Sequence, residues 1–391
     1  MSAQTTTAGR VASTAAEAEA PAYDRLLLWA VLGLTAIGLT MVYSASAVKA
    51  AQSLDDPFFF AKRQVAAAAI GVSAMIGAMK FGYRRLEPLA YPILLLALVA
   101  LILVLIPGIG TVAGGARRWI RLPLVSFQPA EFAKIALVIY LARSLARKRE
   151  KVRDFSIGFV PHTLVAGFFI LLVLGQPDFG TAVTLGALLF AMLFAAGAKV
   201  SWLVGSALLA VPVGWHLIAG TEYRMKRILA FLDPWKYRQD IGYQVTESLM
   251  SVGSGGLFGL GLGAGKQKLY YLPEAHTDFV IAVVGEELGL AGILVVLSLF
   301  GIVLWRGMRA AFNAPDAFGA YLALGITWLL GLQAIGNMLV AMGWLPTKGL
   351  ALPFLSYGGS SLVLSLFAAG VLLAISSGTG GFLRPHRTVR T

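Results

Sequence analysis

Apolar residues in this chain run in blocks of about 18 to 28, long enough to cross a hydrocarbon core of about 30 Å as helices. The blocks predict helices over roughly 25–48, 61–79, 86–106, 128–146, 157–174, 179–197, 200–220, 278–305, 316–344 and 357–378. That pattern is an all-α polytopic membrane protein with about ten transmembrane helices, and an even count leaves both termini on one side. Residues 23–380 form the membrane domain. Residues 1–22, rich in Ala, Thr, Ser and Glu without apolar periodicity, read as a disordered tail, and residues 381–391 as a second tail.

Composition agrees with this picture. The chain is 58% hydrophobic and only 13% charged, against about 25% charged for a soluble globular protein. The net charge of +13 is spread as short-loop clusters rather than as a nucleic-acid-binding face. Those clusters set orientation: 17 Lys and Arg residues fall in the tails and short loops of one side and 7 on the other, which makes both termini cytoplasmic. Residues 221–277 then form a large extracytoplasmic loop between helices 7 and 8. There is no cysteine, and the four His residues at 162, 216, 276 and 386 are too scattered for a zinc site of ordinary spacing.

Chemistry-bearing residues concentrate at the extracytoplasmic ends. Between Tyr271 and Phe279, Glu274, His276 and Asp278 fall within five residues just before an apolar block, where charge is costly unless it is used. Capping and entry to the next helix is the simpler reading of that stretch. Arg117 and Arg118 precede Trp119; forked guanidinium donors suit phosphate oxygens, and the trio equally suits an interfacial anchor. Glu131 and Lys134, three apart behind Pro129, share one helix face and can pair, either to lock two helices or to meet a substrate. Asp178, in a very short turn, is placed to cap the following helix. Ser356 and Ser360 lie in a run from Lys348 to Ser361 whose small hydroxyl residues serve a ligand or close helix packing. The glycine-rich stretch from Gly253 to Lys266 fits no phosphate-binding register and reads as a flexible loop lying partly on the membrane.

Six ordered motifs then carry a resemblance: Lys62-Arg63-Gln64, ARRWI at 116–120, QPAEFAK at 128–134, QPDFGT at 176–181, LPEAHTDF at 272–279 and LPFLSYGGSS at 352–361. Together they resemble the SEDS family of polytopic peptidoglycan glycosyltransferases over residues 23–378. The HTDF stretch followed by GEELG at 285–289 is more similar to the division-type members than to the elongation-type ones.

The resemblance implies polymerisation of lipid II into β-1,4 glycan strands on the outer face of the bacterial cytoplasmic membrane, during septal wall synthesis. It implies Asp278 as general base; Arg63, Arg117, Arg118 and Lys134 are the positive groups near the outer face available to a pyrophosphate, and Glu131 is placed to orient Lys134. Trp119, Glu274, His276, Ser356 and Ser360 complete the expected substrate-binding set. A divalent cation at the pyrophosphate stays open as a cofactor. The implied partners are a class B penicillin-binding transpeptidase and other membrane proteins of the division machinery, with no nucleic acid. An elongation-type polymerase, a lipid II flippase and a non-catalytic scaffold are the alternatives. A transporter should show internal repeats or broken helices with charges at depth; the sequence shows no repeat, its charged motifs cluster on one face, and only Glu286 and Glu287, about 12 Å deeper by helical rise, argue for depth.

Overall fold

A computed structural model describes residues 23–113, 115–121, 126–266, 275–347 and 349–378. The two expected tails, Glu274 and Lys348 lie outside the described residues. Every apolar block folds as a helix: α1 Arg25–Leu54, α2 Phe59–Phe81, α3 Leu86–Leu105, α4 Pro129–Lys148, α5 Val160–Leu174, α6 Phe179–Ala195 and α7 Val200–Ala219. Two further helices follow, α8 Glu222–Leu232 and α9 Tyr243–Ser254, and then α10 Val280–Phe312, α11 Ala317–Ala341 and α12 Gly359–Ser376. Seven of them, α1, α2, α3, α5, α10, α11 and α12, are long and apolar enough to cross a membrane.

Short connections make successive helices antiparallel, so the polar residues gather at two ends. At one end Arg306 pairs with the Asp24 carboxylate, which also caps α1 by accepting from the Leu27 amide at 3.0 Å. There too Asp316 caps α11 through the Gly319 amide at 2.7 Å and receives the Tyr83 hydroxyl at 2.6 Å and the Arg84 Nε at 3.0 Å. These contacts join α1 to α10, and the turn before α3 to α11. The opposite end carries the candidate site.

α10 is not a continuous helix. At Gly289 the backbone takes φ 66 and ψ −163, a conformation open essentially to glycine alone, directly after the buried Glu286 and Glu287. A break inside an apolar segment exposes amide and carbonyl groups that lipid cannot satisfy. Here the glycine-rich segment satisfies them. Leu260 and Gly261 donate to the Glu286 and Glu287 carbonyls at 3.0 Å each, while Leu290 and Ala291 donate to the Gly256 and Leu257 carbonyls, also at 3.0 Å. The carboxylates are engaged as well: Glu287 accepts from the Gly263 amide at 3.0 Å and from the Ser44 hydroxyl of α1 at 2.7 Å, and Glu286 from the Lys266 amide at 2.6 Å.

Two expectations are therefore corrected. The stretch around Gly253–Lys266 is a fitted plug against α10 rather than a loosely lying loop, although Leu257, Phe258 and Leu262 on it remain exposed. Helix α10 is broken, which the apolar pattern of its sequence hides. Within residues 221–277, α9 packs along α10 and buries Val245, Glu247, Ser248 and Ser251, with Ser248 donating to the Ala341 carbonyl at 2.7 Å. The all-α fold also carries a small antiparallel sheet of β1 Gly110–Ala113, β2 Ala116–Arg121 and β3 Ser126–Phe127, in the order β1-β2-β3. Its first turn includes Gly115 at φ 76, left-handed backbone that favours glycine.

A Cβ at Gly289 would lie 2.4 Å from the Gly259 nitrogen and 2.7 Å from the Leu257 carbonyl carbon, whereas one at Gly301, in the same helix, would meet nothing within 4 Å. Gly289→Ala is expected to cost at least about 1–3 kcal/mol in backbone strain before overlap is counted. Thermal unfolding in detergent should show a clear drop for Gly289→Ala and near wild-type behaviour for Gly301→Ala. Equal behaviour of the two variants would contradict the interlock.

Candidate active site

The chain enters α10 through a turn, Ala275–Phe279, anchored by the buried Ala275, His276 and Phe279. Asp278 stands half-exposed in that turn. Its backbone carbonyl accepts from Asn337 Nδ2 of α11 at 2.8 Å, and the same amide donates to the Leu350 carbonyl at 2.6 Å. Asn337 is buried to 1% exposure, so one side chain fixes the turn and the incoming segment 349–358 together. The Asp278 carboxylate faces Gly349, where a Cβ would lie 3.3 Å from Oδ2; the absence of a side chain there keeps space beside the carboxylate.

The segment 349–358 is strapped across this end. Ser356 donates to the Thr277 carbonyl and accepts from the Leu352 amide at 2.8 Å, and Tyr357 donates its amide to the His276 carbonyl at 2.8 Å. Gln64 of α2, buried to 1% exposure, donates to the Ser356 carbonyl at 3.0 Å and accepts from the Gly358 amide at 3.3 Å. Gly38 of α1 lets the strap approach, since a Cβ there would lie 2.5 Å from the Phe354 carbonyl oxygen. Phe354 itself sits at φ 66, a strained position for a bulky residue, held by a buried ring.

His276 packs between the rings of Phe60 and Tyr357, with centroids at 4.9 and 5.6 Å. Arg63 is exposed one turn along α2, its guanidinium 4.2 Å from the centre of the Phe59 ring. Burial raises the Tyr357 phenol above its ordinary pKa, and the charge and hydrogen bond of Arg63 oppose that rise, which places Arg63 beside Tyr357.

At the start of α4 the Gln128 amide donates to Ser360 of α12 at 3.2 Å. Within the next turn, Lys134 and Glu131 form an ion pair at 2.7 Å, with side chains 1% and 11% exposed. Gln333, one turn from Asn337 on α11, and Ser365 line a small cavity beside this pair. Asp178 caps α6 through the Thr181 amide at 3.1 Å and hydroxyl at 2.8 Å, as its position in the turn leads one to expect.

Asp278, His276, Ser356 and Arg63 thus come together around one strap, and Ser360 ties the Glu131–Lys134 helix to it. Arg117, Arg118 and Trp119 form a second group on β2. Arg118 donates to the Gln176 carbonyl at 3.1 Å and to that of Pro177, Arg117 to the Leu105 carbonyl at 3.3 Å, and the Trp119 carbonyl accepts from Thr111 Oγ1 at 3.0 Å. Both guanidinium groups clamp the sheet to the ends of α3 and α5. The hydroxyl of Ser356 is likewise bound within the protein.

Asn337 and Arg227 are not among the residues singled out from the sequence, and Gln64 enters there only within the Lys62-Arg63-Gln64 motif; Arg227 of α8 donates to the Thr347 carbonyl at 2.9 Å, beside the strap. The signal for Asn337 was present. Gln333 and Asn337 are amides four apart in an apolar block, hence on one helix face where polar side chains are costly unless bonded.

A family model described as "Cell cycle protein", covering FtsW, RodA and SpoVE, matches residues 25–380. The probable peptidoglycan glycosyltransferase FtsW of Geobacter metallireducens is 50% identical over 355 residues, 91% of this chain and 95% of its own. Stage V sporulation protein E of Bacillus subtilis is 44% identical over 353 residues, 90% of this chain and 96% of its own. Among solved structures, a chain of a peptidoglycan synthase complex that coordinates polymerization and crosslinking matches with TM-score 0.75 at 31% identity, over 91% of this chain and 98% of that one. The rod shape determining protein RodA of Thermus thermophilus matches with TM-score 0.66 at 30% identity, over 91% of this chain and 97% of that one.

The ion pair generates an asymmetry. Glu131→Ala leaves a charge buried to 1% exposure without its carboxylate, a loss of about 3–5 kcal/mol. Lys134→Met replaces the ammonium with an apolar chain and leaves the more exposed partner, so it is expected to cost less. Thermal unfolding of the two variants in detergent checks the order, and the reverse order would contradict a buried pair.

Proposed function

The chain belongs to the FtsW, RodA and SpoVE family, and on that premise we propose that it is a peptidoglycan glycosyltransferase polymerising lipid II into β-1,4 glycan strands. The observation that carries the reading is Asp278: a carboxylate in a turn pinned by Asn337 and facing Gly349, at the end where the strap, His276 and Arg63 meet. A carboxylate held this way can accept the proton of an acceptor sugar hydroxyl as that oxygen attacks the anomeric carbon of the lipid-linked donor. The new glycosidic bond forms as the carbon–oxygen bond to the lipid pyrophosphate breaks, and the pyrophosphate leaves with the electron pair.

The leaving group's growing charge calls for cations. Arg63, exposed beside the strap, is best placed for direct contact with the phosphates. Arg117 and Arg118, bound to carbonyls, hold the sheet that walls the site, and Lys134 with Glu131 fixes α4 against α11 and α12. His276, buried against Phe60 and Tyr357, supports the wall of the site beside Arg63. The described residues gather no group of three His, Cys, Asp or Glu that could hold a metal ion. No proton or bond in this mechanism passes through a divalent cation.

The short-loop basic bias supports cytoplasmic termini, ten spans and an outward-facing site, with residues 221–277 outside. The complex containing the structural neighbour supports a class B penicillin-binding transpeptidase as partner. The GEELG stretch and the FtsW relatives favour septal synthesis over elongation. A second reading, transport of lipid II, is favoured by one feature, the break in α10 beside two buried carboxylates.

Asp278→Asn preserves size and shape but cannot accept the proton near neutral pH, so polymerisation should fall by about 10²–10⁴-fold. Labelled lipid II follows polymer, and equilibrium binding of lipid II by the same monodisperse protein should persist. Near wild-type polymer from the variant would remove Asp278 as the base.

A further inference from the structure

At the end of the bundle opposite Asp278, a cavity of about 700 Å³ opens between α1 and α2. That volume falls in the range of about 300–1,000 Å³ typical of ligand pockets. Leu28 and Leu32 of α1 and Val72, Ile76 and Met79 of α2 form its walls, with Tyr23 and Lys80 at one end. From Val72 to Lys80 the wall runs about 12 Å by helical rise. Its middle offers no charged group, so it suits an apolar chain rather than a soluble anion.

Charge sits only at the end. Lys80 is exposed and forms no ion pair among the described residues. Three carboxylates of this end are committed elsewhere: Asp24 to Arg306, Asp316 to Tyr83 and Arg84, and Glu87 to Arg147 at 3.4 Å. An unneutralised ammonium at the mouth of an apolar groove complements an amphiphile with an apolar tail and an anionic head. The Tyr23 side chain adds a polar tip beside that head.

We propose that this groove is a binding site for an anionic glycerophospholipid, with an acyl chain along Val72, Ile76 and Met79 and the phosphate on Lys80. The site stands apart from the catalytic reading, so either can fail without the other.

The test uses the purified full chain in detergent with two photoactivatable probes carrying a diazirine in the acyl chain, one a phosphatidylglycerol and one a phosphatidylcholine. Cross-links are mapped to peptides. The phosphatidylglycerol probe should label residues 28–32 and 72–79 several-fold more than the phosphatidylcholine probe. Lys80→Gln should bring the two probes to equal labelling there, and Ile76→Trp, which fills the groove, should lower both. Inorganic phosphate at millimolar concentration should not compete. Equal labelling of the wild type by the two probes, unchanged preference in Lys80→Gln, or displacement by phosphate alone would each overturn the proposal.

Discussion

The geometry depends on how a broken helix is made tolerable inside an apolar bundle. At Gly289 the hydrogen-bond ladder of α10 is interrupted, and the segment from Gly255 to Lys266 supplies the missing partners from outside the helix. Each half of this interlock is otherwise unfavourable: the glycine segment has little side-chain packing of its own, and the open ladder would leave backbone groups unsatisfied in lipid. Together they form a rigid joint, with Ser44 of α1 bonded to Glu287 at its centre. The break also bears on the candidate site, because the first turns of α10 carry Asp278 at their entry. A joint one helical stretch away fixes the direction from which that carboxylate is presented.

The second constraint is the strap over residues 349–358. Buried amides, Asn337 and Gln64, bond it from α11 and α2, and Gly38 allows α1 to approach its backbone. Side-chain amides suit this task because each offers both donors and an acceptor without carrying charge into an apolar setting. The hydroxyl of Ser356 serves the same purpose. The polar residues at this end are therefore not equivalent: the Ser356 hydroxyl is engaged within the protein, whereas Arg63 is exposed. Arg117 and Arg118 act from behind, through the carbonyls they hold.

The helices were legible because an apolar block of about 20 residues permits little else in a membrane. Local polar signals were legible too: Asp178 reads as a cap from its turn, and Glu131 and Lys134 read as neighbours from helical spacing, and both relations appear in the structure. The rest was hidden for identifiable reasons. The break at Gly289 sits in a run whose hydropathy does not change, so a pattern of apolar positions cannot register it. The sheet over 110–127 is made of strands of 2 to 6 residues, too short to display alternation. The roles of Ser356 and of the two arginines were hidden because a hydroxyl or guanidinium looks the same in sequence whether its partner is a ligand or a distant carbonyl. Only tertiary structure brings Thr277 to Ser356 and Gln176 to Arg118.

One measurement separates polymerisation from transport, the two readings that a sealed break beside an end-on carboxylate leaves in contest. The purified chain, with a class B transpeptidase and no other glycosyltransferase, is placed in liposomes containing labelled lipid II, and both glycan polymer and transbilayer movement of label are followed. The account predicts glycan polymer, with lipid II crossing the bilayer no faster than in protein-free liposomes. Rapid crossing of intact lipid II without any polymer would contradict it.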